Sequence, residues 1–146
     1  MRKLRVLFVC VHNSARSQMA EAFLNHLAGE EFEAESAGME PTTINPIVIE
    51  TMKESGYDLS NNQTKSVADF FRQGRIYNYV ISVCDMENAE RCPTFPGLMK
   101  RLSWSFEDPA SFTGSDEEKL EQTRLVRDKI KESLESFIST YSKTKF

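Results

Sequence analysis

Glycine and proline are scarce in this chain, 6 and 5 among 146 residues, too few for a collagen-like repeat or a low-complexity tract. No apolar run approaches the roughly 20 residues that span a bilayer. Basic excess is missing too: 18 Lys and Arg face 22 Asp and Glu, a formal net charge of −4, which leaves no electrostatic footprint for nucleic acid. The segment Met1–Val11 starts basic and turns apolar, but Val6–Val11 is too short for a signal-peptide core, and polar His12, Asn13 and Ser14 follow. The expected location is therefore the cytoplasm. Cysteine is rare and odd in number, 3 in all, which excludes a disulfide framework; in a reducing compartment each thiol needs its own explanation.

What remains is a globular composition, 40% hydrophobic and 27% charged. A chain of 146 residues buries roughly two-thirds of its unfolded surface, so one domain over 1–146 can hold a core without staples. Nothing demands more than a monomer. Leu4–Cys10 is a nearly continuous apolar run, the pattern of a strand covered on both faces. A helix is predicted from about Ser14 to Ala28, with Ala15, Met19, Ala22, Phe23 and Leu27 inward and Gly29 as its stop. Phe32–Gly38 reads as a strand. Asn45-Pro46 caps and opens a helix that ends at Gly56. Ser66–Asp69 starts a short helix ending near Gly74. Tyr77–Cys84 and Lys100–Trp104 read as strands. Ser115–Glu118 opens a long last helix with Leu120, Leu125, Ile130, Leu134, Phe137 and Ile138 inward. Strands alternating with helices predict an α/β fold of three layers, a mostly parallel four-stranded sheet flanked by helices. Sites in such sheets lie beyond the carboxyl ends of the strands, where Cys10 and Cys84 both fall.

Cys10-Val11-His12-Asn13-Ser14-Ala15-Arg16-Ser17 is the most informative stretch. A short loop turning from strand into helix can aim successive N–H groups at one centre, with the positive end of the helix dipole behind them. Val11, His12, Asn13, Ser14, Ala15, Arg16 and Ser17 would make a cradle for a tetrahedral oxyanion. Arg16 adds a planar fork that holds two oxygens. The same field would turn Cys10 into a thiolate nucleophile, since thiols at such positions have pKa values of about 3.5–7.5. Ser17 is placed to hydrogen-bond that sulfur. Asn13 is expected at positive φ, because the loop has no glycine. His12 reads as loop support and His26 as helix surface.

Asp108, with Pro109 fixing its turn, is the candidate general acid for a leaving oxygen, and Glu107 is its neighbouring alternative. Cys84 and Cys92 are separated by residues with good helix propensity. Eight helical positions span about 12 Å, whereas a disulfide needs Cα atoms within about 7 Å. A Cys84–Cys92 bond would therefore require that segment to unwind. Two inert core thiols are the plain alternative; a zinc site has the wrong spacing and only 2 His available.

Cys10–Ser17, Asp108-Pro109 and the Cys84/Cys92-Pro93 element together resemble the thioredoxin-coupled arsenate reductases, enzymes built on the low-molecular-weight protein-tyrosine phosphatase fold. The resemblance runs from Val6 to about Phe137. It implies arsenate as substrate, phosphate or sulfate as mimics, thioredoxin as electron donor and no organic cofactor. It implies a relay: Cys10 forms an arsenic adduct, Cys84 displaces arsenite as a Cys10–Cys84 disulfide forms, and Cys92 takes the disulfide to Cys84–Cys92. Phosphatases of this fold carry aromatics after Asp-Pro; here Ala110 and Ser111 follow, with Phe112 as a remnant. Many of the reductases have one residue fewer between the later cysteines. Some hold potassium near the catalytic loop with residues matching Asn13, Glu21 and Ser36 plus an acid; the loop support expected here is Asn13, Ser17, Glu21, Ser36 and Lys65. Here Lys65 stands where its ammonium can replace the cation, so no metal is expected. The rival readings are a phosphatase using Cys10, Arg16 and Asp108, and a non-enzymatic redox sensor built on Cys84 and Cys92.

Overall fold

The computed structural model describes residues 3–84 and 92–142. Among these, four strands form one sheet in the order β2-β1-β3-β4: β1 is Leu4–Cys10, β2 Phe32–Gly38, β3 Tyr79–Ser82 and β4 Lys100–Ser103. Every pairing is parallel, with Cys10 opposite Gly38, Val9 opposite Ser82 and Ser82 opposite Ser103. The expected four-stranded parallel sheet is there, with no antiparallel member, and all four carboxyl ends lie along one edge. The chain leaves β1 for β2 on one side and reaches β3 on the other. The topological switch point, where such sheets keep their sites, falls between β1 and β3.

The central strand owes its place to its composition. Val6, Phe8 and Cys10 pack into one core and Leu7 and Val9 into the other. The larger core takes Met19, Ala20, Phe23 and Leu24 of α1 (Arg16–Ala28), Val48 and Met52 of α2 (Pro46–Glu54), and Val126, Ile130, Leu134 and Phe137 of α4 (Asp116–Tyr141). The smaller core holds Val67 and Phe70 of α3 (Val67–Arg72), with Tyr77, Cys92 and Phe95. Helices thus cover both faces. At the open margin, β4 exposes Lys100 and Arg101, charges that discourage pairing with another chain's edge.

Several expectations need correction. The first helix begins at Arg16 because Ser14 and Ala15 stay in the loop. Leu27 is 37% exposed and Leu125 60%; Leu24, three residues before the one, and Val126, the residue after the other, are buried instead. The strand expected over Tyr77–Cys84 shortens to Tyr79–Ser82, since the Tyr77 N–H bonds to Pro96 O and the Asn78 N–H to Arg5 O, outside the ladder. The fourth strand stops at Ser103, although the Trp104 N–H still reaches Ser82 O at 2.7 Å. The short helix expected between Cys84 and Cys92 lies outside the described residues. The last helix has the expected capping box, with Ser115 and Glu118 bonded reciprocally. No helix among the described residues is long and apolar enough to cross a membrane.

Candidate active site

The loop from Cys10 to Arg16 is shaped by the chain that follows β2. The N–H groups of Met39, Glu40, Thr42 and Asn45 donate to the carbonyls of Cys10, Val11, His12 and Ser14, at 2.7–3.1 Å. In a trans peptide the next N–H points away from that carbonyl. The amides of Val11, His12, Asn13 and Ala15 therefore point away from the chain that follows β2. The Asn13 N–H shows this directly, donating to Cys10 Sγ at 3.1 Å.

Asn13 has φ 54°, as the glycine-free loop requires. Its fully buried side chain organises the sulfur's surroundings. Nδ2 donates to Ser17 Oγ at 2.8 Å, and Oδ1 accepts from Gln18 Nε2 at 3.0 Å and from the Lys65 N–H at 2.9 Å. An amide nitrogen can only donate, so Ser17 Oγ accepts there, and it shares a hydrogen bond with Cys10 Sγ, 2.8 Å away. Sγ thus has two hydrogen-bond partners, the Asn13 N–H and Ser17 Oγ. Cys10 is only 3% exposed.

Gly38 is a part of this site that the sequence reading passed over. A Cβ there would stand 2.7 Å from Val11 O, 2.8 Å from Asn13 N and 2.9 Å from His12 C. Only glycine lets the loop backbone lie this close to the strand end. Gly38→Ala is expected to displace the loop and weaken inorganic phosphate binding about tenfold, the size of a typical overpacking cost. Calorimetric titration with phosphate checks it; unchanged affinity would mean the loop can shift freely.

Arg16 joins the loop to the segment after β4. Its Nη1 donates to Phe106 O at 3.0 Å, and Nη2 lies 3.6 Å from Asp108 Oδ2. The Arg16 side chain is 11% exposed and the Asp108 side chain 39%. Asp108 Oδ1 accepts from the Ala110 N–H at 3.0 Å, capping the single 3-10 turn Pro109–Ser111. Asp108 is therefore held on one oxygen by its own turn and faced on the other by Arg16.

A cavity of about 550 Å³ opens at this edge, lined by Val11, His12, Arg16, Cys84, Ser105, Phe106, Glu107, Asp108, Val126 and Lys129. It gathers the ends of β1, β3 and β4 with one face of α4. Phe106, ahead of Asp108, supplies the aromatic wall; Phe112, the expected remnant, packs against the main core instead. Lys129 brings a cation to the rim, which no motif signals. His12 lines the mouth with Nδ1 on Glu40 O at 3.0 Å, a supporting role. His26 is exposed on α1 against Tyr57.

Cys84 belongs to the same core as Cys10, with its thiol 3.8 Å from Ser82 Oγ and 3.9 Å from Val9 O. Cys92 lies in the core on the other face of the sheet. Burial pushes the Cys92 thiol up, the Arg101 guanidinium opposes that, and the charge of Cys84 adds to the rise. All three are thiols, not disulfides. Beside the loop, Glu21 Oε1 takes both Ser36 Oγ at 2.9 Å and Lys65 Nζ at 3.0 Å. The Lys65 ammonium thus occupies the place beside Glu21 that the sequence reading gave it. The Lys65 carbonyl also holds the Gly38 N–H at 2.8 Å. Among the described residues, no group of three or more His, Cys, Asp or Glu could hold a metal ion.

Comparison with known proteins agrees with this fold. The arsenate reductase of Bacillus subtilis (strain 168) is 39% identical over 138 residues, covering 92% of this chain and 95% of that protein. The solved structure of an arsenate reductase in the phosphate binding state superposes with a TM-score of 0.76 at 32% identity, over 95% of this chain and 99% of that one. A thioredoxin-dependent arsenate reductase of Corynebacterium glutamicum gives a TM-score of 0.61 at 31% identity, over 92% of this chain and 63% of that one. The profile of the family described as low molecular weight phosphotyrosine protein phosphatase matches residues 5–145. On its sheet, its Cys10 loop and these likenesses, the chain belongs to the low molecular weight phosphotyrosine protein phosphatase family.

Proposed function

We propose that this chain reduces arsenate to arsenite, using Cys10, Cys84 and Cys92 in turn, and that thioredoxin restores it. The arsenate dianion lies on the amides of Val11 to Ser17 with Arg16 across it. Cys10 Sγ attacks arsenic; Asp108 gives a proton to the departing oxygen, which leaves as water. Cys84 then attacks Cys10 Sγ. The S–As bond breaks with its electron pair going to arsenic, which falls from As(V) to As(III), and the two thiols are left as a Cys10–Cys84 disulfide. Cys92 attacks Cys84, releases Cys10 and gives Cys84–Cys92. The dithiol of thioredoxin reduces that bond. No organic cofactor and no metal take part. The enzyme works as a cytoplasmic monomer.

The observation that carries this reading is Cys84, which lines the same cavity as Arg16 and Asp108 beside the switch point. A phosphatase has no use for a second thiol there beyond protection from oxidation. The relatives named arsenate reductase, and the thioredoxin-dependent one among them, support the same choice. Family membership and the cavity's size keep hydrolysis of small phosphate esters as a side activity.

The test follows arsenite formation with thioredoxin, thioredoxin reductase and NADPH, alongside nitrophenyl phosphate hydrolysis. Arsenite-coupled NADPH oxidation far above ester hydrolysis supports the reductase. Hydrolysis alone would make the chain a phosphatase, and neither activity would leave a thiol sensor.

Lys65 gives a prediction of its own. With its ammonium on Glu21, turnover should differ less than about twofold between potassium and tetramethylammonium chloride at equal ionic strength. Lys65→Met should slow turnover and make it respond to potassium, because Glu21 then lacks a counter-charge beside the loop. A strongly potassium-dependent parent enzyme would contradict this.

A further inference from the structure

Cys92 has an attachment that the relay does not explain. Arg101, on the exposed edge strand β4, spends its guanidinium on the backbone around that thiol. Nη1 donates to Cys92 O at 3.3 Å, and Nη2 donates to Pro93 O at 3.2 Å and to Thr94 Oγ1 at 3.4 Å. A planar fork that grips consecutive carbonyls fixes a segment's position more tightly than a point charge does. The segment it grips holds Cys92 in the smaller core, among residues such as Tyr77, Val80 and Phe95. Cys10 and Cys84 are in the larger core on the opposite face. Cys84 and Cys92 are nonetheless near enough for the charge of one to oppose ionisation of the other.

This arrangement meets a real hazard of the chemistry. If Cys84 pairs with Cys92 before arsenate arrives, Cys84 is lost to the Cys10 adduct and the site is idle. We infer that Arg101 is a positioning residue for the third thiol: it pins Cys92–Thr94 to β4 and slows premature Cys84–Cys92 pairing. The inference rests on the relay reading. It adds a residue that orders the relay without touching arsenate.

The test uses no arsenate. In a Cys10→Ser background, Cys84 and Cys92 are oxidised by oxidised dithiothreitol, which accepts two electrons and two protons as the protein disulfide forms. Arg101→Lys keeps the charge and removes the fork. It should pair Cys84 with Cys92 about fivefold faster or more, as loss of the charged hydrogen bonds frees the segment. Cys92 alkylation by iodoacetamide in the reduced protein should rise with it, while Cys84 alkylation and the thermal midpoint stay as in the parent. Thr94→Val removes only the longest contact and should change pairing less than about twofold. Unchanged or slower pairing in Arg101→Lys, with unchanged Cys92 alkylation, would overturn the role of Arg101 alone. A Cys84 alkylation rate that rises in step would show general loosening and overturn it too. Failure of every variant to form the Cys84–Cys92 disulfide, despite faster Cys92 alkylation in Arg101→Lys, would instead sink the relay.

Discussion

Cys92→Ser should release one arsenite per chain and then stop. The first attack by Cys10 and the displacement by Cys84 need no third thiol, so the burst keeps its rate. The Cys10–Cys84 disulfide then has no partner to receive it, and Cys10 stays blocked. With thioredoxin as donor, the steady-state rate should fall by about 10²-fold or more, because exchange now requires a donor thiolate to reach a bond buried in the larger core. Nitrophenyl phosphate hydrolysis, which uses only Cys10, Arg16 and Asp108, should stay within about twofold of the parent. Cys84→Ser should stall one step earlier, with arsenic held on Cys10 and no arsenite released. A Cys92→Ser enzyme that turns over normally would remove the third thiol from the mechanism.

Arg16→Lys is expected to have the other large effect. It retains the charge and loses the fork, and three tasks fail together. The oxyanion loses its two-point clamp, Phe106 O loses its donor, and Asp108 loses the guanidinium facing Oδ2. The expected loss in kcat/KM for arsenate is about 10²–10³-fold, the range seen when a preorganised donor is removed from a developing charge. The loss should appear for nitrophenyl phosphate as well, since both reactions share the cradle. A small effect on either would mean the backbone amides suffice.

Much of the frame was legible because hydrophobic pattern and burial coincide. Leu4–Cys10 and Phe32–Gly38 have the bounds read from their apolar runs and turn residues. The Cys10 loop was legible because its residue types leave few options: no glycine, one asparagine to take positive φ, and an arginine at the helix start. What stayed hidden depends on distant partners. Gly38 reads as a strand end, and its need to lack a Cβ exists only because residues 11–13 pass over it. Gln18 looks like an ordinary helix residue, yet it is fully buried, with Nε2 on Asn13 Oδ1 and Gln63 O. Leu27 and Leu125 show the limit of periodicity, since a stripe drifts and Leu24, three residues earlier, and the adjacent Val126 fill the core instead. Arg101 and Lys129 carry no motif; one grips the Cys92 segment and the other reaches the cavity only through packing of α4.

The most direct measurement is to add one equivalent of arsenate to the fully reduced protein without any donor, quench with an alkylating reagent, and map the cysteines by peptide mass. One arsenite released per chain, Cys10 alkylated, and Cys84 joined to Cys92 is the predicted result. Arsenite appearing while all three thiols remain alkylatable, or no arsenite with all three intact, would contradict it.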